Sequence, residues 1–209
     1  MRGFFALSAG AALMLAVAPF ALGQSPPREP VRDLADPKSF DAIADRSQRS
    51  AALFGEAGKV ILHPRCVNCH PAGDRPLQGA GMHPHNPPVF RGPADIGVAG
   101  MGCGTCHLDA NTPIVTASIR SVPGNPKWHL APVAMAWQGK PLGQICEQIK
   151  DPARNGGKSL AQLHEHMAKD ALVGWGWAPG EGREPVPGTQ ERFGEIIQAW
   201  IDTGAVCPP

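Results

Sequence analysis

The chain lacks an excess of charge of either sign: 19 Lys and Arg stand against 18 Asp and Glu, a formal net charge of +1. With no basic stripe, nucleic acid is excluded as the partner, and the balance favours neither an acidic nor a basic docking surface. Long apolar runs are also scarce. Only the stretch from Phe4 to Phe20 approaches membrane-spanning length, and at about 17 residues with Pro19 near its end it sits at the short limit. Arg2 before it and the small-residue stretch Ala21-Leu22-Gly23 after it make the pattern of a secretory signal peptide over residues 1–23. The other reading, a retained leader, would hold the protein at a membrane. No cysteine follows the run, which argues against a lipid-anchored start. Convincing strand alternation and βαβ patterning are missing too, as is any internal repeat beyond one pair of short motifs, so residues 24–209 are expected to form a single domain, exported to the periplasm.

Glycine and proline are abundant, with 25 Gly and 23 Pro among 209 residues and no collagen-like or low-complexity repeat. Much of the chain must therefore be loop and turn. Such a chain needs something besides helix packing to hold it, and covalent cofactors would serve.

Four of the six cysteines fall into two copies of one pattern. The first is Cys66-Val67-Asn68-Cys69-His70 and the second is Cys103-Gly104-Thr105-Cys106-His107. C-x-x-C-H is the attachment signature of c-type haem. Two thiols three positions apart reach both vinyl groups of one porphyrin, and the next imidazole meets the iron from the same side. Zinc is the rival reading, since paired C-x-x-C also forms zinc ribbons. A four-ligand zinc site would leave both following histidines idle. Two redox-active dithiols would need the βαβ context that is missing. The leftover pair, Cys146 and Cys207, most simply forms a disulfide in an oxidising compartment, with two buried free thiols as the alternative.

Phe40, Ile43, Ala51, Phe54 and Ile61 recur at helical spacing and predict a helix over about 40–60, ended by Pro64. From Pro71 to Pro113 the chain reads as extended backbone around porphyrin. Leu142, Ile145, Cys146 and Ile149 share one face of a helix over 142–150. Ser159 with Gln162 makes a capping box that opens a helix to about Asp170. Thr189 can cap a last helix striped by Phe193, Ile196, Ile197 and Trp200, with Gly204 at its end. The expected class is mainly α with long irregular Gly/Pro-rich loops, a dihaem cytochrome c-type domain.

Each iron also needs a decision at its sixth position. His63 lies too close to the first motif to reach the far face of the same haem. His83 and His85 sit in the loop Met82-His83-Pro84-His85-Asn86-Pro87-Pro88. His129 stands between Trp128 and Leu130, as a haem-pocket wall would. His164 and His166 both flank the stripe of Leu160, Leu163 and Met167, and helical phase does not separate them. For each of these a role as an ordinary surface or core-edge histidine stands beside ligation. His129 and His166 are the first choices as distal ligands, His85 is the third, and Met135 is the best thioether. The tryptophans 128, 137, 175, 177 and 200 read as pocket packing that excludes water.

Several segments resemble small periplasmic dihaem cytochromes of proteobacteria, of the kind often labelled as an isoquinoline 1-oxidoreductase subunit. They are Arg65-Cys66-Val67-Asn68-Cys69-His70-Pro71 to Gln78, Val89-Phe90-Arg91-Gly92-Pro93, Trp128-His129-Leu130, and Asp151-Pro152-Ala153-Arg154-Asn155-Gly156-Gly157-Lys158. The resemblance covers most of residues 24–209. It implies two haem c groups attached through Cys66, Cys69, His70, Cys103, Cys106 and His107, with His85, His129, Met135 and His166 at recurrent positions. It also implies electrons accepted from a periplasmic dehydrogenase of the molybdenum hydroxylase type; a cytochrome or oxidase is the expected acceptor. The enzyme name is not inherited, because nothing here binds molybdopterin or a heterocycle. The layout is similar to the dihaem subunit of periplasmic nitrate reductase as well, though the surrounding segments match that family poorly. The expectation is an electron carrier or electron-transfer subunit, not an enzyme; the alternative is a dihaem peroxidase, which would need one haem with an open distal position.

Overall fold

A computed structural model describes Met1, residues 33–114 and residues 120–209; the expected signal peptide otherwise lies outside the described residues. Its 41% helix and 7% strand settle the class as mainly α. Among the described residues no helix is long and apolar enough to cross a membrane.

The first long helix, α1 (Arg46–Ile61), starts later than the apolar spacing predicts. The reason is local. Asp45 accepts a hydrogen bond from the Gln48 amide at 2.8 Å and caps the helix there, while Pro37–Ala42 forms a separate 3-10 turn. Pro64 likewise does not simply end α1. It opens the four-residue helix α2 (Pro64–Val67), whose N-cap is His63. Helix α3 (Leu142–Lys150) has the predicted bounds, and α4 (Leu160–Lys169) carries the full capping box of Ser159 and Gln162. A short α5 (Ala171–Gly174) follows. Helix α6 (Gln190–Asp202) is capped by Thr189 and ends before Gly204, whose φ of 113° few other residues tolerate.

Helices α1 and α4 both pack on α6. Their shared core holds Leu53, Phe54, Ile61, Leu163, Ile196, Ile197 and Trp200, with the Phe54 and Trp200 rings 4.8 Å apart. Ser50, fully buried, satisfies its hydroxyl by donating to the Trp200 carbonyl and accepting from the Val206 amide. Cys146 and Cys207 form the expected disulfide, with Cα atoms 5.6 Å apart, and it ties α3 to the C-terminal segment.

Between α2 and α3 the described residues are largely irregular. It makes three antiparallel pairs of two-residue strands: β1 (Leu77–Gln78) with β2 (His83–Pro84), β3 (Gly97–Val98) with β4 (Met101–Gly102), and β5 (Thr112–Pro113) with β6 (Ser121–Val122). Arg91 anchors this region. Its buried guanidinium pairs with Asp95 at 2.6 Å and donates to the carbonyls of Ala131 and Gly73. One charge thus joins three stretches of loop that have little apolar core of their own. Gly92 beside it has φ 68°, and a Cβ there would stand 2.0 Å from the Gly97 carbonyl oxygen, so the turn admits only glycine.

Candidate cofactor sites

The first paired-cysteine motif begins on α2. The turn continues past it, with the Cys69 amide bonded to the Cys66 carbonyl at 3.1 Å and the His70 amide to the Val67 carbonyl at 3.0 Å. Thiols and imidazole are therefore delivered by one compact turn. Burial pushes the Cys66 thiol up to about 12 and Cys69 up to about 11, with a neighbouring cysteine adding and Arg65 opposing. With no cofactor bound, both sulfurs are therefore neutral thiols.

His70 donates its Nδ1–H to the Met135 carbonyl at 2.7 Å. A carbonyl can only accept, so the proton is fixed on Nδ1 and Nε2 keeps its lone pair. Burial pushes the imidazole down to about 4, so it is neutral. Trp137 stacks on the ring at 3.5 Å and 7°, and its own amide bonds the His70 carbonyl at 2.9 Å. The segment from Met135 to Gln138 thus wraps the imidazole from behind.

In front of it lies a cavity of about 200 Å³ bounded by Cys66, Cys69, His70, His129, His166 and apolar side chains such as Phe193 and Met167. That is smaller than the roughly 300–1,000 Å³ typical of ligand sites, while the mostly apolar lining with a few convergent polar groups is of the expected kind. His166, on α4, has Nδ1 3.4 Å from the Asp170 carboxylate. Its basicity is lowered, first by burial. His129 donates Nδ1–H to the Lys127 carbonyl at 2.5 Å. Each therefore has Nδ1 held by an oxygen and Nε2 available. His164 points elsewhere: its Nε2 lies 3.8 Å from where a Cβ on Gly194 of α6 would stand, which separates two histidines that helical spacing leaves equivalent. Met135 lines the same cavity, and its carbonyl is the acceptor that holds the His70 ring.

The second motif sits on a 3-10 turn, Cys103–Thr105, with the His107 amide bonded to the Cys103 carbonyl at 3.0 Å. The environment of its histidine repeats that of the first. His107 donates Nδ1–H to the Pro123 carbonyl at 2.8 Å, and Trp128 stacks on its ring at 4.6 Å and 13°. Burial lowers its basicity as well. His85 faces it, with ring centroids 6.0 Å apart and planes at 66°. The Nδ1 of His85 is bonded to the Pro87 carbonyl at 2.9 Å, while Arg75 clamps the His85 carbonyl at 2.6 Å. Beside His107 an open cleft of about 590 Å³ runs along Leu108 to Pro113 and back to Trp128. Several large apolar side chains near the motif are exposed, among them Ile96, Met101 and Leu108.

The remaining histidines differ. His63 accepts at Nδ1 from the Arg65 amide at 3.2 Å, so its neutral form carries the proton on Nε2, the opposite tautomer. His83 lies exposed in β2. Sequence reasoning missed the roles of the two stacked tryptophans and of the Met135 and Pro123 carbonyls. A tryptophan two residues after Met135 was the available signal; the carbonyls had none. Among the described residues no three or more His, Cys, Asp or Glu converge as an ion-binding group. Comparison with protein-family models, curated proteins and solved structures finds no match to this chain.

Proposed function

We propose that the protein is a periplasmic electron-transfer protein carrying two covalently bound haem c groups. The observation that carries the reading is the repeated environment of the motif histidines. His70 and His107 each follow a C-x-x-C pair, each give Nδ1–H to a backbone carbonyl, and each rest against a tryptophan face. Fixing Nδ1–H in this way orients the ring and raises its donor strength at Nε2, as metal-bound histidines require. A four-thiolate zinc ribbon would use neither imidazole.

When bound, haem supplies an iron that takes up and gives away one electron at a time. Cys66 and Cys69 would hold one group and Cys103 and Cys106 the other, with His70 and His107 as proximal ligands. His85 is assigned to the second centre, because two imidazole–metal bonds of about 2 Å each, plus about 1 Å from each Nε2 to its ring centre, need about 6 Å between rings. The observed separation is 6.0 Å. His166 is assigned to the first centre: it lies within electrostatic reach of His70 and has a carboxylate behind it, an arrangement common in metal-binding histidines. His129 then stands at the rim of the same cavity. Two imidazoles at each iron would leave no open sixth position, which favours electron transfer over peroxidase chemistry. The donor is proposed to be a periplasmic dehydrogenase and the acceptor a cytochrome or oxidase.

The test is production in a bacterium competent for c-type haem attachment. Two haems per chain are expected by mass and by the pyridine haemochrome spectrum, falling to one in C66S/C69S and in C103S/C106S. A protein with no covalent haem would end the proposal.

A further inference from the structure

Among the described residues, Trp128 alone lines both cavities. On one side its indole lies parallel to the His107 ring at 4.6 Å. On the other it meets the edge of Trp175, at 5.0 Å and 88°, and Trp175 is itself a wall of the first cavity. The residue covalently next to it, His129, opens onto that cavity too. Trp128 is held firmly there: its amide bonds the Asn125 carbonyl at 3.0 Å. Trp175 is fixed in turn by an Nε1–H bond of 2.9 Å to Asn111, which lines the second cleft. Gly124 completes the packing, since a Cβ there would stand 2.0 Å from the Ala110 carbonyl oxygen.

An indole that only filled space would not need a face on the imidazole of one site and an edge in the other. We propose that Trp128 is the bridge through which the two centres exchange an electron. This rests on the haem reading above. The exchange is balanced within the chain: one ferrous iron becomes ferric as the other ferric iron becomes ferrous, and no bond or proton changes place. Trp128 is not itself oxidised. Its filled π system, in contact with the His107 ring and reaching the first cavity, replaces what would otherwise be a gap or water, across which electronic coupling decays much faster. The reading of the tryptophans as water-excluding packing holds for Trp137, which lies against His70 within one site; for Trp128 it is incomplete.

The test uses the full two-haem protein and three variants, W128F, W128L and W175F. A flash-excited flavin delivers less than one electron per molecule, and the slower internal redistribution between the two haems is followed optically. Replacing the indole by leucine should slow that phase by about tenfold or more, whereas W128F, which keeps an aromatic ring, should slow it less; W175F should act only weakly. Reduction potentials are measured for each variant and the rates compared at equal driving force, so that the rate and not the driving force accounts for the effect. The wild-type protein supplies a separate check. In its oxidised form, the low-temperature electron paramagnetic resonance spectrum should show two ferric signals broadened by mutual magnetic interaction. An unaltered internal phase in W128L, or two sharp independent ferric signals in wild type, would overturn the bridge while leaving two haems by mass and the proposed function intact. Loss of haem from the wild type itself would instead end the parent reading.

Discussion

Replacing His85 by alanine is the most informative single perturbation of the second centre. The His85 and His107 rings are 6.0 Å apart, close to the roughly 6 Å needed for an iron shared by two imidazoles. His85 is presented by a loop whose backbone is held independently, through Arg75 on its carbonyl and Gln78 on the Asn86 amide. Removing the imidazole should therefore leave the loop and the thioether bonds in place and open one coordination position. One haem of the two should become five-coordinate and high-spin, and ferrous H85A should bind carbon monoxide at one site per chain. Wild type should bind none readily. The assay is a carbon monoxide titration of the dithionite-reduced protein, with ferric cyanide binding as a second readout. If H85A stays fully low-spin and binds neither ligand, His85 is not the distal ligand and the fit of the two rings has been over-read. Wild type that already binds one equivalent would favour the peroxidase alternative.

Three further outcomes follow from the same structure. H166A should open the first haem in the same assay, whereas H129A should leave both haems low-spin; the reverse result would exchange the two assignments. In a spectroelectrochemical titration the first centre should have the higher potential. It lies in the helical core with Lys158 in its wall, while the second is more open and has Asp109 beside it, and both burial and positive charge favour the less charged ferrous state; comparison of C66S/C69S with C103S/C106S assigns the waves, and an inverted order would refute this. The disulfide closes a loop with a sequence separation of 61, for which chain entropy predicts about 4 kcal/mol. C146S/C207S should then melt roughly 10 °C lower by circular dichroism, and a loss under about 1 kcal/mol would show that the C-terminal segment is held by other contacts.

Much of this was legible in the sequence, and the parts that were not share a cause. Helices α3, α4 and α6 were readable because apolar period and capping residues agree. At α1 they conflict: Phe40 and Ile43 continue the apolar spacing, but Asp45 caps the helix and wins. The motif cysteines and histidines announce themselves by spacing alone. Distal ligands do not, since they come from far along the chain. His85 comes to face His107 on a loop folded back by the β1–β2 pair and held by Arg75 on its carbonyl, and no periodicity encodes that. His166 parts from His164 only when α4 is docked on α6. The stacking of Trp128 on His107, two residues 21 positions apart in the sequence, was equally invisible.

The central claim is that the two C-x-x-C-H motifs are each sealed to a haem. Intact-protein mass spectrometry after denaturation and acid-acetone extraction tests it directly. The chain should weigh two haems more than its polypeptide and stay red; a colourless chain at the bare polypeptide mass would contradict it.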